Sequence, residues 1–146
     1  MIVEGGDDGR ELAALLCVLV PAAVDGLVGQ VIVVESRPNE AQAAICEDAG
    51  AELVEGLTRA IDMARADLLL LLPVALRLRP GWDESLRRHL ERKGGPALIC
   101  ESEAGFLGRF IAPKLAGVLA PKARIDRSAA DIEAVRRRLG RLPRLS

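Results

Sequence analysis

The chain has 146 residues, half of them hydrophobic and 28% charged, with a net charge of −1; that profile suits one soluble globular core. Trp82, Phe106 and Phe110 are its only aromatic residues, so the core must be aliphatic. The longest apolar stretch, Leu68 to Leu76, is too short to cross a bilayer, and Glu4, Asp7 and Asp8 stand where a signal peptide needs a basic and then an apolar run.

Ile2-Val3 reads as a short first strand. Leu12, Leu15, Leu16 and Leu19 then fall at i, i+3, i+4 and i+7, one apolar stripe of a helix, with Asp7 or Asp8 as its N-cap and Pro21 as its end. After the linker from Pro21 to Gly29 comes Val31-Ile32-Val33-Val34, a β-branched run without alternation. Such a run suits a strand covered on both faces of a parallel sheet. Asn39 caps the next helix, whose buried face is expected at Ala41, Ala44, Ile45 and Ala49, with Gly50 as the stop.

Ala51 to Val54 reads as a strand, and Leu57, Ala60, Ile61 and Ala64 form a further helical stripe. Leu68 to Leu72 is a strand despite leucine's helix propensity, because the run is short and Pro73 forbids helical continuation. Pro80-Gly81 is a turn; Trp82, Leu86 and Leu90 line a helix that stops at Gly94-Gly95, and Ala97 to Cys100 is a strand. Phe106 to Leu119 reads as either helix or hairpin, and Ser128 to Leu139 as a helix with Ile132, Val135 and Leu139 inward.

This alternation implies an α/β fold, a three-layer α/β/α sandwich with a mainly parallel sheet, whose loops gather at the strand C-termini. A site there would draw on Glu4 to Gly9, Glu35 to Asn39, Glu55-Gly56 and Pro73 to Arg79.

Other chemistries find little support. The single histidine, His89, lies on an Arg-rich helix and reads as a surface residue, and no set of His and Cys side chains suits zinc. "GGDDG" (5–9) precedes a helix, but its aspartates oppose phosphate, so it reads as a turn with a helix cap. Cys17, Cys46 and Cys100 are isolated in sequence and expected as buried thiols of a reducing, cytoplasmic setting. From Lys122 onward eight basic residues face three acidic ones. A solvated helix face is the expected reading, with weak contact to an anionic membrane surface as the alternative. No nucleic-acid partner is expected, because no aromatic residue interleaves with these arginines.

The run "GQVIVVESRPNEAQAAICEDAGAELVEGLTRAIDMARADLLLLLPVALRLRPGW" (29–82) resembles the nucleotide-binding half of family-2 glycosyltransferases, which have the GT-A fold. The family pattern is a strand ending in an acidic pair and Gly-Ser, a helix, "AGA" with a short strand, another helix, a strand ending in Asp-x-Asp, and a "PGW" helix start. The resemblance covers roughly residues 1–103 and leaves 104–146 as a shortened C-terminal part with a basic helix, all in one domain. "DIEAVRRRLGRL" (131–142) is loosely similar to the segment that follows the family's catalytic acid, which makes Asp131 the weak candidate for that role.

The departures define the functional expectation. The acidic pair that would contact the nucleoside is Glu35-Ser36, and the following Gly-Ser is Arg37-Pro38. The metal-binding Asp-x-Asp falls on Pro73-Val74-Ala75, which offers no side-chain oxygen. The resemblance therefore implies a degenerate glycosyltransferase-like protein with a nucleotide or nucleotide-sugar ligand, held by Glu35, Ser36, Arg37, Arg77 and Arg79. No divalent metal and no other cofactor is expected. Two alternatives remain: an active, metal-independent transferase whose arginines hold the donor diphosphate, and a non-catalytic interaction module. A homodimer is expected where a lost acceptor half leaves surface uncovered.

Overall fold

The structure, a computed structural model, describes residues 1–6, 8–100 and 115–145. In chain order the elements are β1 (Ile2–Glu4), α1 (Gly9–Val24), β2 (Ile32–Glu35), α2 (Glu40–Asp48), β3 (Glu52–Glu55), α3 (Leu57–Met63), β4 (Leu68–Pro73), α4 (Trp82–Glu91), β5 (Ala97–Cys100), β6 (Ala116–Pro121) and α5 (Ile132–Leu139). A single turn of 3-10 helix, Lys122–Arg124, follows β6.

The six strands form one sheet in the order β3-β2-β1-β4-β6-β5. The first four are parallel, and β6 runs antiparallel between β4 and β5. The apolar runs explain this sheet: Ile32, Val33, Leu69, Leu71 and Leu72 are fully buried because helices cover both faces. On one face Val3, Val33, Leu70 and Leu72 pack with α1, α2 and α4; on the other Ile2, Ile32, Leu69 and Leu71 pack with α3 and α5. The three-layer α/β/α expectation describes this arrangement.

The helix caps follow the sequence. Asp8 accepts from the Arg10 N–H at 2.8 Å, and Asn39 forms a capping box with Gln42. Helix α1 nevertheless runs past Pro21 to Val24. A proline removes one backbone donor and clashes with the preceding turn, yet only three helical residues follow it. The Asp25 N–H reaches the Pro21 carbonyl at 2.9 Å and completes the last turn.

Two further expectations change, and a third is settled only in part. The buried face of α2 is Gln42 and Cys46, with Ile45 half-buried, while Ala41, Ala44 and Ala49 are exposed. Within the stretch read as helix or hairpin, Ala116 onward is strand, and residues 106–114 lie outside the described residues. Cys17 is exposed and Cys100 half-buried; of the three thiols only Cys46 is buried. Beyond α5, Pro143 to Leu145 lie along β5, with the Leu98 N–H on the Pro143 carbonyl and the Leu145 N–H on the Leu98 carbonyl, both at 2.8 Å. This tail covers an edge strand whose backbone groups need partners.

Among the described residues no helix is long and apolar enough to cross a membrane.

Candidate functional site

Strands β1, β2 and β3 each end on a glutamate: Glu4, Glu35 and Glu55. Register sets Glu35 beside Glu55 and sets Glu4 between Val34 and Pro73. The carboxylates therefore stand at the end of the sheet where the parallel strands leave for their helices, and strand order reverses between β1 and β4. Open α/β sheets take ligands at such a place.

Glu35 is only 7% exposed. Its carboxylate lies against the bare α-carbon of Gly5, whose N–H donates to the Val34 carbonyl at 2.8 Å; a Cβ on Gly5 would overlap Glu35 Oε1. Only glycine lets the backbone after β1 approach this closely. Burial, and then the neighbouring Glu35 charge, push the Cys46 thiol upward, so Cys46 stays neutral beneath the site. Ser36 and Arg37 are exposed on the loop to α2. Gln42, overlooked in the sequence reading, donates from Nε2 to the Gly6 carbonyl at 3.2 Å and fastens α2 to the β1–α1 loop. Asp7, in the middle of that loop, lies outside the described residues.

The β4 tip is a tight turn. The Val74 N–H donates to the Glu4 carbonyl at 2.8 Å, and the Leu76 N–H to the Pro73 carbonyl at 3.0 Å. Val74 is buried, while Pro73 and Ala75 are half-buried. Val74 packs so near Gly6 that a Cβ there would come within 3.2 Å of its Cγ1. Beyond the turn the two arginines part. Arg77 pairs with Glu11 of α1 at 3.0 Å, whereas Arg79 donates to the Leu145 carbonyl of the tail at 3.0 Å.

Asp131 caps α5 through Oδ1, which accepts from the Ala134 N–H at 2.6 Å. The same helix start meets β1: Glu4 Oε2 accepts from the Ile132 N–H at 3.3 Å. Burial raises the Glu4 carboxyl above its ordinary range; the Ile132 N–H opposes this and the Asp131 charge adds to it. The structure thus gathers Glu4, Asp131, Glu35 and the Pro73-Val74-Ala75 turn about the tips of β1, β2 and β4. Arg79 lies away from them, on the β5 side. The pairing of Glu4 with α5 spans 128 residues, and no local pattern announces it. Among the described residues, no three His, Cys, Asp or Glu side chains are grouped to hold a metal ion.

No protein-family model and no curated protein matches the sequence. Solved structures do match its fold. Glucosyl-3-phosphoglycerate synthase from Mycobacterium tuberculosis, in complex with phosphoglyceric acid, is 16% identical with a TM-score of 0.66, over 92% of this chain and 62% of that one. The same enzyme with Mn²⁺, uridine diphosphate and glucosyl-3-phosphoglycerate is 17% identical with a TM-score of 0.65, over 85% of this chain and 56% of that one. Mannosyl-3-phosphoglycerate synthase from Rubrobacter xylanophilus is 13% identical with a TM-score of 0.60, over 85% of this chain and 54% of that one.

The expectation that excludes a divalent metal is overturned, because neighbours of this fold hold Mn²⁺ together with uridine diphosphate. The physical reason is that a strand tip is not a cation's only source of ligands. Diphosphate oxygens are themselves hard donors of the kind Mn²⁺ takes, so a strand tip without carboxylates does not by itself exclude the ion. The chain spans at most 62% of the length of these neighbours, and at this identity the likeness is one of fold: the chain resembles the GT-A glycosyltransferases in its α/β architecture.

Proposed function

We propose that this is a glycosyltransferase-like protein that binds a nucleoside diphosphate or nucleotide-sugar over the tips of β1, β2 and β4 and has lost sugar transfer. The observation that carries the reading is Glu35, a carboxylate buried at a strand tip over an obligatory glycine. Burying a carboxylate is costly, and this one stands at the ligand-binding end of an α/β sheet. Uridine diphosphate and its glucose conjugate, carried by neighbours of this fold, supply the ligand class.

In this reading Glu35 and Ser36 accept and donate hydrogen bonds at the nucleoside, and Arg37 faces the phosphates from the same loop. Arg77, itself exposed, exchanges its half-buried partner Glu11 for the diphosphate, since a guanidinium matches phosphate oxygens bidentately. One feature supports lost transfer: the candidate base Asp131 has Oδ1 committed to capping α5.

Calorimetric titration with uridine diphosphate and uridine diphosphate glucose, each with and without Mn²⁺, tests the proposal. Micromolar binding is expected, weakened at least tenfold in Glu35→Gln, with no sugar released over hours. Absence of binding in all four titrations refutes the ligand assignment, and steady sugar release refutes the loss of transfer.

A further inference from the structure

Helix α1 has a second apolar face that stands exposed among the described residues. Its buried stripe is Leu12, Leu15, Leu16, Leu19 and Ala22. On the opposite side Ala14, Cys17, Pro21 and Val24 are exposed, and with Arg10 they recur at spacings of four, three, four and three residues. That spacing is the seam of a helix packed against another helix. Val18 and Val20 flank it at 42% and 46% exposure, and Val24 stands 81% exposed. No charged residue occurs from Leu12 to Val24. A helix that is apolar all round is normally covered all round.

The charges at the helix ends identify what covers it. Arg10 lies in the first turn and Asp25 caps the C-terminus, each at the pole of the helix dipole that repels it. Neither forms an ion pair among the described residues. We infer that α1 is the interface of a homodimer, packed antiparallel on α1 of a second copy about a two-fold axis between Cys17 and Val18. In that register Ala14 meets the partner's Pro21, and Arg10 meets the partner's Asp25. Each misplaced charge then gains an opposite charge and faces the favourable pole of the other helix. One isologous contact satisfies both ends, as a closed two-fold interface requires. The small side chains of Ala14 and Cys17 let the helices approach closely.

The expected dimer is weak. Sixteen residues of helix are only about 24 Å long, too short a contact to bury the roughly 800 Å² per partner of a standard interface. A groove of about 330 Å³ beside the helix, lined in part by Val18, Pro21, Leu78 and Trp82, adds further apolar surface.

Analytical ultracentrifugation of the chain across micromolar to millimolar concentration tests the inference. The expected result is a monomer–dimer equilibrium in the micromolar range, abolished in Val18→Glu and in Val24→Glu, with circular dichroism confirming that both variants fold. Arg10→Glu should weaken it about tenfold, and Arg10→Glu combined with Asp25→Arg should restore it. A chain that stays monomeric to about 1 mM, or a dimer indifferent to both valine variants, overturns the inference. A dimer broken at Val18 but not restored by the charge exchange overturns the antiparallel arrangement.

Discussion

At one end of the sheet, where β1, β2 and β3 stop, three glutamates stand on adjacent strands. At the other, Leu27, Val28, Leu68, Leu70, Leu86 and Leu90 help enclose a cavity of about 330 Å³. Polar groups line it too: the Met1 ammonium donates to the Gln30 carbonyl at 2.6 Å, Gln30 Nε2 donates to Glu52 at 2.7 Å and Gln30 Oε1 accepts from the Arg65 N–H at 3.0 Å. The contrast separates two demands on one sheet. Burial of leucine and valine holds the strands together, and side chains of that kind form most of the cavity lining. Glu35, buried against Gly5, and Glu4, half-buried and bonded to the Ile132 N–H, contribute nothing of that kind; at this end the proposed ligand would bind.

Substitutions at the two ends should therefore fail differently. Leu70 is 5% exposed and lines the cavity. Leu70→Ala removes buried methyls beside a void that already exists, and should cost about 3 kcal/mol, read as a lower urea midpoint. The fraction that remains folded should bind uridine diphosphate as the parent does, and a matching loss of affinity would erase the distinction between the ends. Gly5→Ala should show the reverse balance. Its Cβ must displace the Glu35 carboxylate, an overpacking cost of about 1–2 kcal/mol. Nucleotide affinity should fall more than tenfold, because the displaced group is the one assigned to the nucleoside. Calorimetry alongside urea denaturation separates the two effects.

How far the sequence reveals this organisation depends on the range of the forces involved. Local signals translate well. Val31 to Val34 and Leu68 to Leu72 become central strands because neither run alternates, and Asn39 caps α2 because its side chain reaches the Gln42 N–H at 2.9 Å. The resemblance of residues 29–82 to a nucleotide-binding half likewise finds its counterpart in the fold of the solved structures. Hydrogen bonds between distant segments are less visible. Gln42 is buried rather than Ala41 or Ala44 because it bonds the Gly6 carbonyl, 36 residues away, and an apolar pattern cannot register a polar residue drawn inward. Strand β6 is the sequence AGVLAP, whose alanine and glycine carry weak strand propensity. It becomes a strand by pairing antiparallel with β4 and β5.

Glu4 carries the smallest expected effect and the sharpest sign. Burial holds more protons on its carboxyl in the folded chain than the unfolded chain binds, raising its pKa from 4.5. Wherever the folded state binds more protons, stability falls as pH rises. The favourable condition is therefore present below about 4.5 and is lost as pH climbs through the raised folded value, leaving a charged, half-buried carboxylate beside Asp131 at neutrality. Glu4→Gln keeps an oxygen that can accept from the Ile132 N–H but removes the charge. The variant should be slightly more stable than the parent at pH 7, with a flatter stability profile between pH 4.5 and neutrality, measured by urea denaturation across pH. A less stable variant at pH 7 would mean that the Glu4 charge supports the start of α5, and the glutamate end of the sheet would then share the structural role assigned to the leucine end.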